Sequence, residues 1–125
     1  MSRSLNKLTL IGNVGAKPDI RTMSDGTKLA KVSLATNHRW KDRHGDAQER
    51  TEWHHLMCWD KLAEIVEEYV SVGDQLYIEG RVEYGSYDRD DGVSIPTVEI
   101  RVRELIMLGG RSPRQPVIEK HVLEL

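Results

Sequence analysis

Residues 51–70 read Thr51-Glu52-Trp53-His54-His55-Leu56-Met57-Cys58-Trp59-Asp60-Lys61-Leu62-Ala63-Glu64-Ile65-Val66-Glu67-Glu68-Tyr69-Val70, and the hydrophobic period changes inside that stretch. Up to Trp59 the side chains alternate, with Trp53, His55, Met57 and Trp59 on one face and Glu52, His54, Leu56 and Cys58 on the other, which is strand geometry. From Asp60 onward Leu62, Ile65, Val66, Tyr69 and Val70 fall at i, i+3, i+4, i+7 and i+8. That spacing predicts a helix of about three turns. Asp60 stands at its N-cap position and Gly73 beyond its C-terminal end. Glu64, Glu67 and Glu68 take the opposite, solvated side.

Upstream, residues 5–12 are rich in β-formers, and Gly12, Gly15 and Pro18 interrupt them before a short run at 20–23. This reads as a strand, a kink and a continuation. Ser24-Asp25-Gly26 signals a turn, after which Ala30, Val32, Leu34 and Thr36 alternate as a second strand in a hairpin with the first. Residues 37–50 are polar and are expected to form a long loop carrying Trp40; loops of that length in compact domains tend to be functional or disordered. Downstream of the helix, residues 75–83 return to strand, 84–92 form a polar tip, and 97–103 alternate again, with apolar residues at 105–108 before Gly109-Gly110. Three strands, a helix and two strands is the element order of the OB-fold, a mainly β, five-stranded Greek-key barrel with one helix between strands 3 and 4. Several small α+β sheets share that count. We place the domain at residues 1–110 and a short extension at 111–125, whose Val117, Ile118, Val122, Leu123 and Leu125 are expected to dock rather than trail in solvent.

A chain of 125 residues, 38% hydrophobic and 30% charged, is one ordinary folded domain, neither a multidomain enzyme nor a disordered segment. Its single Cys58 builds no disulfide framework and suits a reducing cytosol. The longest early apolar stretch, residues 8–11, is far short of the ~20 needed to cross a bilayer, so neither export nor a membrane span is expected. The net charge of −2 conceals an asymmetry: +5 over residues 1–50 and −7 over 51–125. The basic first half keeps a nucleic-acid partner open.

The sequence offers little to catalysis. His54 and Cys58 on one straight strand lie about 13 Å apart at ~3.3 Å per residue, so they share neither a proton nor a small ion. No metalloprotease, Cys-x-x-Cys or nucleophile-elbow pattern occurs, and no motif calls for a cofactor or a metal. Gly12-Asn13-Val14-Gly15 lacks the Gly-Lys-Ser/Thr and the following helix of a phosphate cradle, and its glycines fit a bend in a barrel strand. The aromatics carry more. Trp40 sits among Arg39, Lys41 and Arg43, Tyr87 has Arg89 nearby, and Trp53 and Trp59 share a strand face. Aromatics interleaved with cations suit a single strand, whose bases stack while its phosphates are neutralised. Trp53 and Trp59 fit a barrel core equally well by pattern alone.

Asn6-Lys7, Gly12-Asn13-Val14-Gly15 with Pro18 and Arg21, Leu34-Ala35-Thr36, Thr51-Glu52-Trp53-His54, Lys61-Leu62-Ala63-Glu64, Tyr77-Ile78-Glu79-Gly80 and Met107-Leu108-Gly109-Gly110 together resemble the bacterial single-stranded DNA-binding protein family, in order through residues 3–110. The resemblance implies an OB-fold that binds single-stranded DNA without sequence preference, as a homotetramer in the nucleoid-associated cytoplasm, with no small-molecule substrate. Trp40, Trp53, Trp59 and Tyr87 match base-stacking positions. Arg3, Lys7, Arg21 and Lys41 match or adjoin phosphate-contacting ones. His54 matches a subunit contact, and Tyr77 falls on a strand that also contributes to assembly, so both are read as oligomer-interface residues.

Two departures from the family pattern stand out. Glu83, Asp88, Asp90 and Asp91 outnumber Arg81 and Arg89 in a hairpin tip that is commonly basic, and Ser71-Val72 replaces an often cationic position. Greater reliance on Arg39, Lys41, Arg43 and Arg50 is expected. The chain also ends at Glu124-Leu125 and contains no Phe, where the family usually carries an acidic, Phe-terminated tail, so tail-recruited partners are not carried over. The rival readings are an OB-fold scaffold of the replication-restart type, an RNA-binding OB-fold and, distantly, an enzyme.

Overall fold

A computed structural model describes residues 3–109 and arranges them as β1 Leu8–Val14, β2 Asp19–Thr22, β3 Lys28–Lys41, β4 Ala47–Trp59, α1 Lys61–Tyr69, β5 Gln75–Asp88 and β6 Ser94–Gly109. β1 and β2 are the two halves of the kinked first strand. Both pair antiparallel with β3, at Val14↔Leu34 and Asp19↔Lys31 respectively. β3 continues antiparallel to β4, β1 to β5 and β5 to β6, while β6 returns parallel to β4 at Leu56↔Ile100. The sheet therefore closes on itself as a five-stranded barrel with one helix between its third and fourth strands, the expected OB-fold.

The alternation read from the sequence decides which side faces in. Leu34, Leu56, Leu76, Ile78, Leu105 and Met107 are fully buried, and Ala63, Val66 and Val70 join the same core from α1 and its end. Burying each large aliphatic side chain contributes about 1.5–3 kcal/mol. Gly12 is required by close approach: a Cβ there would run into the Ala35 carbonyl on β3. Cys58 is wholly buried in this core, and desolvation pushes its thiol up to about 12, so it is an inert packing group.

Four expectations need correction. Residues 37–50 are not a loop, because β3 and β4 stay paired to Lys41↔Ala47 and leave only 42–46 as the turn. Cross-strand hydrogen bonding, assisted by Thr51 Oγ1 donating to Asn37 Oδ1 at 2.8 Å, extends the ladder into polar sequence that hydrophobic alternation cannot report. The tip at 84–92 likewise shrinks, with β5 running to Asp88, and 97–103 and 105–108 belong to one strand, β6, with register shifts at Gln75/Leu76 and Glu79/Gly80. α1 has nine residues, somewhat under three turns. Asp60 occupies the N-cap position with φ 55° but its side chain makes no capping bond. Its backbone N–H still donates to Lys28 O at 2.9 Å, so the sheet holds this residue up to the helix start. The extension at 111–125 lies outside the described residues.

Candidate nucleic-acid interface

Beyond the barrel wall the β3–β4 hairpin continues as a two-stranded ribbon whose tip is tied together by one carboxylate. Asp42 Oδ1 accepts from the backbone N–H of His44 and of Asp46, both at 2.9 Å, and its Oδ2 accepts from Gln48 Nε2 at 3.2 Å. Gly45 N–H donates to Asp42 O at 3.0 Å. These bonds, led by the one from Asp46, hold the Asp42 carboxyl below the usual range.

The unbroken register from Leu29↔Trp59 to Lys41↔Ala47 assigns every ribbon side chain to a face. Trp53, Trp59, Arg39, Lys41, Lys31, His55 and Met57 lie on the outer face. His54, Trp40, His38 and Arg50 lie on the face that continues from the core. Trp53 and Trp59 are therefore not barrel core, whereas their strand neighbours Leu56 and Cys58 are. Trp40 does not share a face with Trp53. It stacks instead on His38, with ring centroids 5.3 Å apart and planes 21° from parallel, and remains 42% exposed.

Trp53 is the best-formed stacking platform. Its indole lies on the backbone of Gly15, where a Cβ would collide with the ring, and the side chain is still 54% exposed. One ring face is thus supported by the protein while much of the indole stays open. Along the same outer face runs a cleft in which two cations, Lys17 and Lys31, stand with two carboxylates, Asp19 and Glu99, around Ser33 and His55. Lys17 and Lys31 escaped the sequence reading because each sits alone in an unremarkable context, and only the fold brings them together in one cleft. Trp59 is half-buried, with the Arg101 guanidinium 5.6 Å from its ring centroid. Arg101 was missed for the same reason.

The remaining candidates divide by charge state. Among the described residues, Arg3, Lys41, Arg43 and Arg50 have no carboxylate within 4 Å, whereas Arg39 lies 3.6 Å from Glu49 and Arg21 3.0 Å from Asp19. On the second hairpin Arg81 pairs with Glu83 at 2.9 Å. Arg89 makes a two-pronged contact with Asp91 at 2.7 and 3.2 Å, and this contact draws the Asp91 carboxyl down. Both arginines are neutralised where they stand. Tyr87, 55% exposed, shares the face of Arg81 and pairs with Ile95. Lys7 lies 3.7 Å from Glu79, which also accepts from Tyr77 at 2.8 Å and Arg103 at 3.1 Å; these contacts lower the Glu79 carboxyl and raise the Tyr77 phenol. Tyr77 sits on the outward face between Ile11 and Ile106, whereas His54 lies on the face of β4 that continues from the core and its Nε2 shares a 2.8 Å hydrogen bond with Thr36 Oγ1.

Residues 5–108 match the model of the Single-strand binding protein family. The chain belongs to that family. It is 45% identical over 111 residues to the protein of Xanthomonas campestris pv. campestris named "Single-stranded DNA-binding protein", which covers 89% of this chain and 64% of that relative. A like-named protein of Xylella fastidiosa strain Temecula1 is 45% identical over 112 residues, covering 90% and 68%. This chain thus spans about two-thirds of the length of these curated relatives, and slightly less for the first. Among solved structures, the Plasmodium falciparum SSB in complex with ssDNA superposes with a TM-score of 0.81 at 31% identity, over 87% of this chain and 99% of that one. A deletion variant of the single-stranded DNA binding protein from Thermus aquaticus gives 0.76 at 29% identity, over 89% and 54%. This single-strand binding family member contains, among its described residues, no helix long and apolar enough to cross a membrane.

Proposed function

We propose that this chain binds single-stranded DNA without sequence preference and protects it during replication, recombination and repair, acting as a homotetramer in the nucleoid-associated cytoplasm. Binding, not turnover, is its activity. The observation that carries the reading is Trp53, an indole backed by the Gly15 backbone and half open to solvent, with Lys31, Arg39 and Lys41 spaced further along its own face. Such a platform accepts any base because every base has a π-face, and the cations neutralise phosphates whatever the sequence. Trp59 and Lys17 extend the track along the barrel, and Trp40 with Arg50 offers a second contact on the reverse of the ribbon. His54 and Tyr77 are assigned to subunit contacts.

Titration with oligo-thymidine at low and high salt, followed by tryptophan emission, tests this directly. Deep quenching with a salt-dependent affinity is expected, and unchanged emission from a folded sample would reject it in favour of a protein-interaction scaffold. Stronger competition by a matched RNA homopolymer would reassign the substrate. Light scattering of the unliganded protein reads the subunit number.

A further inference from the structure

Away from the tryptophan track, an open recess of about 300 Å³ lies between the segment preceding β1 and the β5–β6 pair, lined by Leu5, Asn6, Lys7, Gly80, Arg81, Arg101, Val102 and Arg103. Its lining holds four cations and no carboxylate; Lys7 and Arg103 share Glu79 and Arg81 pairs with Glu83 from outside the lining, which leaves Arg101 as the cation with no carboxylate within 4 Å among the described residues. The wall is fixed rather than draped, since Asn6 Nδ2 donates to Val82 O at 2.8 Å and Asn6 Oδ1 accepts from Val82 N–H at 3.0 Å, making one residue act as a short extra strand. Arg81 and Arg101 stand directly opposite each other on adjacent antiparallel strands. Like charges in that position destabilise a sheet unless something screens them. The protein screens them only from the sides, Arg81 by Glu83 and Arg101 by the Trp59 ring, while Glu79 serves Lys7 and Arg103.

We infer that this recess is a phosphate-binding site, and that its occupant is a backbone phosphate of the strand, handed on from Trp59 by Arg101. The inference rests on the single-strand reading above and adds Arg101 and Arg103 to the residues that meet the ligand. Arg101 belongs to both places, lining the recess while its guanidinium lies 5.6 Å from the Trp59 ring centroid. A planar guanidinium can lie on an indole and still present N–H donors to a phosphate oxygen.

The test compares wild type with Arg101→Gln/Arg103→Gln and with Arg101→Lys in two assays. In the first, oligo-thymidine affinity is measured across a salt series. The double variant should flatten the log–log slope by about 0.7 for each phosphate no longer engaged, and Arg101→Lys, which keeps the charge, should retain the wild-type slope. In the second, tripolyphosphate at constant ionic strength should raise the melting temperature of the wild type but not of the double variant. Loss of that shift with an unchanged DNA slope would keep the phosphate site and assign it to free polyphosphate. Equal slopes together with equal tripolyphosphate shifts would overturn the inference. Wild-type protein whose emission oligo-thymidine leaves unchanged would instead sink the single-strand reading, and the tripolyphosphate arm would still judge the recess.

Discussion

Gly15→Ala should separate binding from folding. Its new Cβ would occupy the space of the distal Trp53 ring atoms, whereas the Gly15 N–H bond to Ser33 O, at 3.0 Å, needs no side-chain room. The backbone has no reason to move, and the indole, free on its solvent side, rotates off its support. Stability should therefore change little. Binding should lose the contribution of one stacked base, about 1–3 kcal/mol by the general magnitude for base–aromatic contacts, which is a roughly 5- to 140-fold weaker affinity. Gly12→Ala supplies the contrast: there the obstruction is the Ala35 carbonyl on a paired strand, so the strain has nowhere to go and about 1–3 kcal/mol of stability should be lost. Oligo-thymidine titration by tryptophan emission and urea melts of both variants read the two quantities. Wild-type affinity and quenching in a folded Gly15→Ala protein would refute the idea that Trp53 works as a platform positioned by Gly15.

The charge map predicts that Lys41→Gln reduces the salt slope of DNA binding by about 0.7, whereas Arg89→Gln, whose cation Asp91 already neutralises, changes it less; equal effects would contradict that assignment. Asp25, Asp42, Glu79 and Asp91 are all held below their ordinary carboxyl range. The stability they add is therefore complete above their unfolded values of about 4 and declines as pH falls through their lower folded values. The urea midpoint should fall between pH 5 and pH 2.5, while in Asp42→Ala amide exchange at the 42–46 turn should already be raised at pH 6 and should lose the part of the acid dependence that Asp42 contributes. Cys58, with its thiol pushed up to about 12 and fully buried, should resist a thiol reagent at pH 8 until the protein is unfolded.

The barrel was legible where hydrophobic alternation carried the information. Leu34, Leu56, Ile78 and Val102 all face inward as their period requires, and the switch at Asp60 correctly marks the helix. Legibility failed at 37–50 because a ribbon projecting beyond the barrel has solvent on both faces and no hydrophobic period to display. Its cross-strand bonds and the Asp42 turn, not buried surface, define it. Within the candidate interface, Trp40 was recognisable as an aromatic set in polar sequence, whereas Trp53 read equally well as barrel core. The face each occupies depends on register, which the sequence of one strand does not contain. Lys17, Lys31 and Arg101 were invisible for a related reason, since a lone cation becomes informative only when another element delivers an aromatic or a second cation beside it.

The hairpin's register also makes its length a matter of odd and even. Asn37 and Thr51 face each other across the ribbon, and removing that one pair would keep the ladder intact while turning everything nearer the tip over. Trp40 would then join the side of Trp53, and Arg39 and Lys41 would leave it. Removing a second pair would restore the original sides on a shorter arm. Relatives whose arms differ by an even number of pairs should thus present aromatics and cations as this chain does, while an odd difference would create a protein with both tryptophans on one surface and a different route for whatever lies across it.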